Sequence, residues 1–311
     1  MLFLASLAAV TEAEKTSPLR CGHFGASGLS ERHLSCGDFA GVLSTWDLER
    51  LATPVWQAQA HGGIINAMDA MGGARRGYGA PEIVTGGRDG RVCVWDPRQH
   101  DAPVAAFEPP EGLEAVPDCW TVAFGDSHCD GDRSVLAGYD NGDVKLFDLR
   151  NGQVRWERNL KNGVCAAEFD RRDIAMNKCA VATLEGKFHV FDMRTHNKER
   201  GGYAGVEEKF PTGATLWGCT HLPQNRDLWM VGGGDGTVSL YKYAYPDQRR
   251  ATDADGKEYG VTGEVRCLTY RQLSTQPINC WDWSADKEGL AVCGSFDQSV
   301  RVVICSRLSR Q

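Results

Sequence analysis

Two side chains of this 311-residue chain, His61 and Asp89, are of the types that could do acid–base chemistry, and Thr85 and Trp95 accompany them. A histidine beside a carboxylate is a common general base. No nucleophile is placed beside this pair in the sequence, so catalysis is not the interpretation that we favour. The same residues have a structural use, because a buried imidazole and a buried indole N–H each need a hydrogen-bond partner.

Cysteine is the second residue type with relevant chemistry, and the chain has 12 of them. They include no Cys-x-x-Cys pair, and most fall in apolar, strand-like segments. The densest candidate for zinc is His128-Cys129-Asp130, in a polar segment without a second pair of ligands. We therefore expect buried, reduced thiols, and we predict no metal site and no cofactor.

Charge and hydropathy exclude other classes. The net charge is −7 with 24% charged residues, which argues against nucleic-acid binding. The run Leu2–Val10 has the length of a signal peptide, but no Lys or Arg precedes it and no cleavage site is clear. No apolar run approaches the ~18 residues of a membrane-spanning helix, so no membrane association is predicted.

The elements that must position the histidine and aspartate are short strands. In the segment 85–98, Val92 and Val94 alternate with Arg91 and Cys93, which indicates a half-buried strand. Asp89-Gly90 before it is a tight-turn pair. The segment therefore predicts strand, turn and strand.

This turn-and-strand unit recurs at intervals of roughly 40 to 60 residues. The six copies end at apolar or aromatic residues: Trp46, Trp95, Phe147, Phe191, Tyr241 and Val303. A polar insertion, 245–263, lengthens the last interval and is predicted to be a surface loop that can be mobile. Further strand-like runs around each copy give four strands per unit, and such units must stack to bury their faces.

With its Ala60-His61-Gly62 and its Trp95-Asp96 ending, the segment resembles a WD repeat. The resemblance implies an all-β WD40 β-propeller with six recognisable blades of an expected seven. We assign residues 17–311 to the propeller domain, and 1–16 to an N-terminal strand or a truncated blade. His61, Thr85, Asp89 and Trp95 match the four positions of a structural hydrogen-bonded relay in WD-repeat proteins, whereas the other units have no clear equivalent of His61.

Longer segments resemble the Monad family of WD-repeat proteins from about Glu12 to the C-terminus. These segments include Asp118-Cys119-Trp120-Thr121-Val122-Ala123-Phe124-Gly125 and Leu184-Glu185-Gly186-Lys187-Phe188-His189. The resemblance implies a seven-bladed, cytoplasmic, non-enzymatic scaffold for the preassembly of axonemal dynein arms. The implied partners are dynein chains, as clients, and a TPR-containing adaptor of the prefoldin-like and RuvB-like ATPase chaperone machinery. The chain departs from the family ahead of residue 16, where the family has a further blade.

One end of the predicted propeller collects residues that are typical of protein interfaces. They come from the innermost strands and from the turns: Trp120, Trp217, Tyr139, Phe296 and Arg88. Aromatic residues and arginine often anchor interfaces, so we predict a partner-binding patch there. The alternative is that each aromatic ring only packs between blades.

The ending Trp95-Asp96-Pro97-Arg98 supports a second hypothesis. It fits the Trp-Asp-x-Arg ending of the WD-repeat substrate receptors of cullin-RING ubiquitin ligases. In that alternative Trp95, Asp96 and Arg98 contact the ligase adaptor. Otherwise, Arg98 is a solvated charge that pairs with the aspartate.

Overall fold

The structure is a computed structural model, and it describes residues 17–28, 30–73, 78–99, 102–129 and 131–308. The N-terminal segment 1–16, which we predicted to be a strand or a truncated blade, lies outside these ranges. The described residues form six antiparallel blade sheets and one separate two-stranded hairpin, which confirms the WD40 β-propeller fold with six recognisable blades.

Sheets one to three are four-stranded meanders, each with its strands in chain order. The first contains β1 (Leu19–His23), β2 (His33–Asp38), β3 (Val42–Asp47) and β4 (Trp56–Gln59). The second contains β5 (Ile65–Met71), β6 (Glu82–Gly87), β7 (Val92–Trp95) and β8 (Ala105–Phe107). The third contains β9 (Cys119–Gly125), β10 (Ser134–Tyr139), β11 (Asp143–Asp148) and β12 (Gln153–Asn159).

The fourth sheet contains β13 (Val164–Phe169), β14 (Lys178–Thr183), β15 (Lys187–Asn197) and β16 (Gly202–Lys209). The fifth contains β17 (Leu216–Leu222), β18 (Asn225–Gly233), β19 (Thr237–Ala244) and, after a hairpin of β20 (Arg250–Thr252) and β21 (Glu258–Gly260), β22 (Glu264–Gln272). The sixth has three strands, β23 (Ile278–Trp283), β24 (Leu290–Ser295) and β25 (Ser299–Ile304).

The innermost strands of successive sheets pack against each other in the order β1, β5, β9, β13, β17 and β23. Apolar side chains fill the spaces between the sheets, as the stacking of blades requires. In the described ranges no comparable packing joins β23 to β1, and β25 has a strand partner on one edge only. The seventh blade that the family resemblance implies is not among these six sheets.

The insertion 245–263, which we predicted to be a surface loop that can be mobile, contains the short hairpin of β20 and β21. Its hairpin packs on β15 and β16 of the fourth sheet. Asn197 Nδ2 donates to the carbonyl of Glu258 at 2.6 Å, and Arg250 Nη2 donates to the carbonyl of Arg194 at 3.0 Å. These backbone-directed hydrogen bonds hold an otherwise polar segment in place.

Candidate functional site

The relay residues meet in the second sheet. His61 precedes β5, Thr85 lies in β6, Asp89 in the following turn and Trp95 at the end of β7. His61 Nδ1 lies 2.8 Å from Asp89 Oδ1, and His61 Nε2 lies 2.8 Å from Thr85 Oγ1. Trp95 Nε1 donates to the same hydroxyl at 3.2 Å. The four polar side chains thus provide one another with hydrogen-bond partners.

Charge reinforces this relay. Burial on its own raises the pKa of Asp89, but the hydrogen bonds from His61 and from the backbone N–H of Gly62 lower it to about 2. The ionised carboxylate is therefore held against the imidazole at neutral pH. His61, Thr85 and Trp95 are almost completely buried, which leaves no room for a substrate beside the imidazole.

The sixth sheet has a smaller version of the relay, which sequence analysis missed. The backbone N–H of Ser274 donates to the carbonyl of Gly236, just as that of His61 donates to the carbonyl of Gly41. Ser274 Oγ bonds to Asp297 Oδ2 at 3.0 Å, and Ser295 Oγ bonds to Ser274 Oγ at 2.7 Å. Ser274 therefore takes the place of the histidine.

The predicted partner patch lies at one end of the ring, which we call the upper face. It is formed by the turns between the second and third strands and by the starts of the innermost strands, and it carries Arg88, Trp120, Trp217 and Phe296. Phe296 is 59% exposed, Trp217 is 37% exposed and Arg88 is exposed. Trp120 is half-buried.

Tyr139 does not belong to this surface, which corrects the prediction. It is 6% exposed and packs in the core between the second and third sheets, in the same cluster as Val84 and Val92. Lys145 Nζ lies 5.7 Å from the centre of its ring, and burial raises the pKa of its phenol. The ring fills the space between two blades, so it is not available to a partner.

Arg88 and Trp120 are neighbours through Asp118. Burial and the negative charge of Asp140 raise the pKa of Asp118, while Arg88 and the Trp120 indole counteract them. Trp120 also packs on the next blade, because a Cβ added to Gly163 would lie only 2.8 Å from its Cζ3. Trp120 therefore both borders the upper face and stabilises the packing of two blades.

Arg98, the residue that distinguishes the ligase hypothesis, is engaged within the chain. Its Nη2 lies 2.6 Å from Asp96 Oδ2, and its Nε donates to Asp96 Oδ1 at 2.9 Å. Arg150 and Asp148 repeat this geometry in the third sheet. The arginine after the aspartate therefore pairs with that aspartate, as in the simpler interpretation of the motif.

All twelve cysteines are free thiols, and half of them are buried. Cys267 and Cys280 are exposed, which differs from the expectation of burial. Burial raises the pKa of the Cys93 thiol to about 11 and that of Cys165 to about 12, so neither is a nucleophile at neutral pH. Within the described residues, no three His, Cys, Asp or Glu side chains are grouped so that they could hold a metal ion.

Charged side chains gather at the opposite end of the ring, which we call the lower face. The fifth residue of four innermost strands is ionisable: His23, Asp69, Glu168 and Asp282. Arg172, in the loop after β13, reaches across to Asp69 of the second sheet, with 3.0 Å between Nη2 and Oδ1. Sequence analysis missed this cluster, although an ionisable residue in an otherwise apolar inner strand was a signal for it.

Comparison with known proteins identifies the family that shares these features. The family model "WD domain, G-beta repeat" matches residues 52–96, which contain β4 to β7, and residues 263–303, which contain β22 to β24 and most of β25. Dynein axonemal assembly factor 10 of Chlamydomonas reinhardtii is 58% identical over 98% of this chain and 84% of its own length. The Homo sapiens protein of the same name is 56% identical over 96% of this chain and 83% of its own length.

The chain belongs to the dynein axonemal assembly factor 10 family. The dynein-arm assembly family expected from the sequence is thereby confirmed. A more distant member, from Dictyostelium discoideum, is 24% identical over 95% of the chain. Since the chain belongs to this family, protein–protein interaction is the activity that its surfaces must support.

A solved structure supports the fold alone. A chain in "Crystal Structure of Mitotic Checkpoint Complex" superposes with a TM-score of 0.69 at 13% identity, over 94% of this chain and 76% of that one. Among the residues that the structure describes, no helix has the length and apolar character needed to cross a membrane.

Proposed function

We propose that this protein is a non-enzymatic scaffold in the cytoplasmic preassembly of axonemal dynein arms. In this role it binds dynein chains as clients, and a TPR-containing adaptor of the prefoldin-like and RuvB-like ATPase chaperone machinery. The observation that carries the proposal is the 55–58% identity to proteins named Dynein axonemal assembly factor 10, over at least 96% of the chain. Stacked sheets with loops at both ends suit this use, because they present surfaces without needing to move.

The upper face is the surface that we assign to a protein partner. Arg88, Trp217 and Phe296 are exposed there, and Trp120 borders them. Large aromatic side chains and arginine contribute most to affinity when a partner excludes water around them. The ligase-receptor alternative has no such support, because Arg98 is paired with Asp96.

The test of this surface compares the double variant Trp217→Ala, Phe296→Ala with Tyr270→Ala, an aromatic residue on the outer strand β22 that is about as exposed as Phe296. Each is expressed in ciliated cells, and the dynein chains and TPR-containing adaptor that co-purify with it are measured. We expect the double variant to lose at least one partner while its melting temperature changes little. Full retention of both partners would exclude the upper face as their binding site.

The test of the cellular role is depletion of the protein from ciliated cells. Dynein chains in the cytoplasm are then separated by size, and axonemal arms are counted by electron microscopy. We expect unassembled dynein chains in the cytoplasm and fewer arms on the axoneme. Normal assembly after complete depletion would contradict the proposal, and proximity labelling in cells without cilia would then identify the other clients.

A further inference from the structure

A polar cleft opens on the lower face, at the opposite end of the ring from Arg88 and Trp120. Its volume is about 860 Å³, and three loops bound it, one each from the fourth, fifth and sixth sheets, together with the segment after β19. Sites for small ligands generally have volumes of about 300 to 1,000 Å³. The cleft is therefore large enough for a ligand, and its charges determine which kind fits.

The carboxylates in the inner part of this cleft already have partners. Asp170 Oδ2 accepts hydrogen bonds from Lys178 Nζ at 2.9 Å and from Asn177 Nδ2 at 2.7 Å. Glu168 Oε2 lies 3.0 Å from His221 Nδ1. Burial on its own lowers the pKa of Lys178, but Asp170 and Tyr245 outweigh it and keep this buried ammonium charged. Asp170 is thus neutralised by Lys178, and Glu168 has hydrogen-bond partners at His221.

Two arginines of the same cleft are less well compensated. Arg226 donates to two neutral groups, the carbonyls of Pro223 at 2.8 Å and Asp170 at 2.9 Å. Within the described part of the chain it has no ion pair with a carboxylate. Burial lowers its pKa, and the charges of Glu168, Asp173 and Asp170 offset this only in part. Arg172 uses Nη2 for Asp69, while its Nη1 is buried and has no hydrogen-bond partner among the described residues.

We propose that this cleft binds a peptide segment through a carboxylate group, which Arg172 and Arg226 hold. A guanidinium presents parallel N–H donors that match the two oxygens of a carboxylate, and the free Nη1 of Arg172 gains the acceptor that it lacks. A buried donor without a partner is unfavourable, so an acceptor that a ligand supplies to it is stabilising.

The rim of the cleft favours a carboxylate over a phosphate. Asp173 pairs with Arg171 and Asp227 with Lys178. Six carboxylates and four arginines line the cleft as a whole, and the remaining negative charge repels a dianion about twice as strongly as a monoanion at the same distance. The carboxylate can come from an Asp or Glu side chain or from the C-terminus of a partner. Both sources present the same two oxygens, so the experiment has to separate them.

The binding test uses immobilised hexapeptides of mixed sequence and the full chain with a fluorescent label. One set contains Asp or Glu, a matched set contains Asn or Gln, and each is made with a free or an amidated C-terminus; a further set contains phosphoserine. We expect retention on peptides that carry a carboxylate, and amidation shows which source binds. Equal retention on the uncharged set, or a preference for phosphoserine, would overturn the proposal.

Variants then locate the binding site. Arg226→Gln should weaken binding of the best hexapeptide by about tenfold or more, since a hydrogen bond to a charged group is lost. Arg91→Gln, which removes the same charge from an ion pair with Glu108, is the matched control and should leave the affinity unchanged. Equal weakening by both would exclude the cleft as the site.

A substitution with the opposite expected sign guards against misfolding as an explanation. Asp69→Asn removes the competing carboxylate from Arg172, so peptide binding should become several-fold tighter. Thermal melts of each variant establish that it is folded. Weaker binding by Asp69→Asn than by the parent would contradict the assignment of Arg172. The cleft shares no residue with the upper face, so either proposal can fail alone.

Discussion

The second and sixth sheets carry matching repeat segments and yet differ in how they are stabilised. The second has four strands, neighbours on both sides and the full relay around His61. The sixth has three strands and the shorter Ser274 relay. With the two turn aspartates, Asp89 and Asp297, as reference, Val94 corresponds to Val302, and these are 0% and 72% exposed. The repeat thus determines strands and turns, whereas burial depends on what lies against each sheet.

The two relays also differ in how they fill space. A Cβ added to Gly87 would lie 2.2 Å from His61 Nδ1, so only glycine fits beside the imidazole. In the sixth sheet Ser295 occupies that position, and it bonds to Ser274 instead of a histidine. The same site is therefore filled either by a histidine beside a glycine or by two serines.

The largest expected effect comes from combining the histidine of one pair with the serine of the other. Gly87→Ser should lower the free energy of unfolding by about 3 kcal/mol, because it overpacks a buried site. Adding His61→Ser recreates the pair of the sixth sheet and should restore part of that loss. Urea unfolding of both single variants and of the double variant measures this coupling. Strictly additive losses would show that the two positions do not share space.

A second comparison uses the equivalent valines. Val94→Ala should cost about 2 to 3 kcal/mol, since it removes buried methyl groups and leaves a cavity. Val302→Ala should change the free energy of unfolding by less than about 0.5 kcal/mol, as expected for an exposed site. Urea unfolding under identical conditions measures both. A loss at Val302 as large as that at Val94 would mean that the exposed face of the sixth sheet is covered in solution.

A third prediction concerns acid and the second sheet. Burial alone raises the pKa of Asp69, but Arg172 and His23 lower it to about 2. An aspartate in an unfolded chain has a pKa of about 3.9, so this carboxylate stabilises the fold by about 2 kcal/mol above pH 4. That contribution is lost as the pH falls from about 4 to about 2.

Asp69→Asn should therefore be less stable than the parent protein at pH 6, with the difference shrinking toward pH 2. Thermal unfolding across this pH range measures it. Glu111→Gln, at an exposed position, is the control and should behave like the parent at each pH. If the stability difference between Asp69→Asn and the parent stayed the same from pH 6 to pH 2, the proposed ion pair would be contradicted.

The smallest expected effect lies in the turns. Gly90 in the second sheet has a φ of 73°, and the corresponding residue of the sixth sheet, Gln298, has a φ of 64°. A side chain in this left-handed region costs about 1 to 2 kcal/mol, and glycine avoids most of that cost. Gln298→Gly should therefore stabilise the protein by about 1 kcal/mol in urea unfolding. A loss of stability would mean that contacts of the glutamine side chain outweigh its strain.

Local sequence patterns were sufficient for the strands and the turns, whereas the four relay residues around His61 were identified through the resemblance to a WD repeat. Period-2 alternation and turn pairs depend on neighbours in the chain, so they can be recognised without a structure. Tyr139 could not be placed correctly, because its burial depends on the distance between two blades. The ion pair between Arg172 and Asp69 could not be predicted either, since its two residues are 103 positions apart in the chain.

The alternative pairs around the relay limit how one repeat can evolve into another. If Gly87→Ser comes first, the new side chain meets the imidazole of His61 and the protein passes through its least stable state. If the histidine is replaced first, the intermediate loses hydrogen bonds but suffers no clash. Duplicated blades can therefore exchange one pair for the other most readily in a fixed order of substitutions, with the histidine replaced before the glycine.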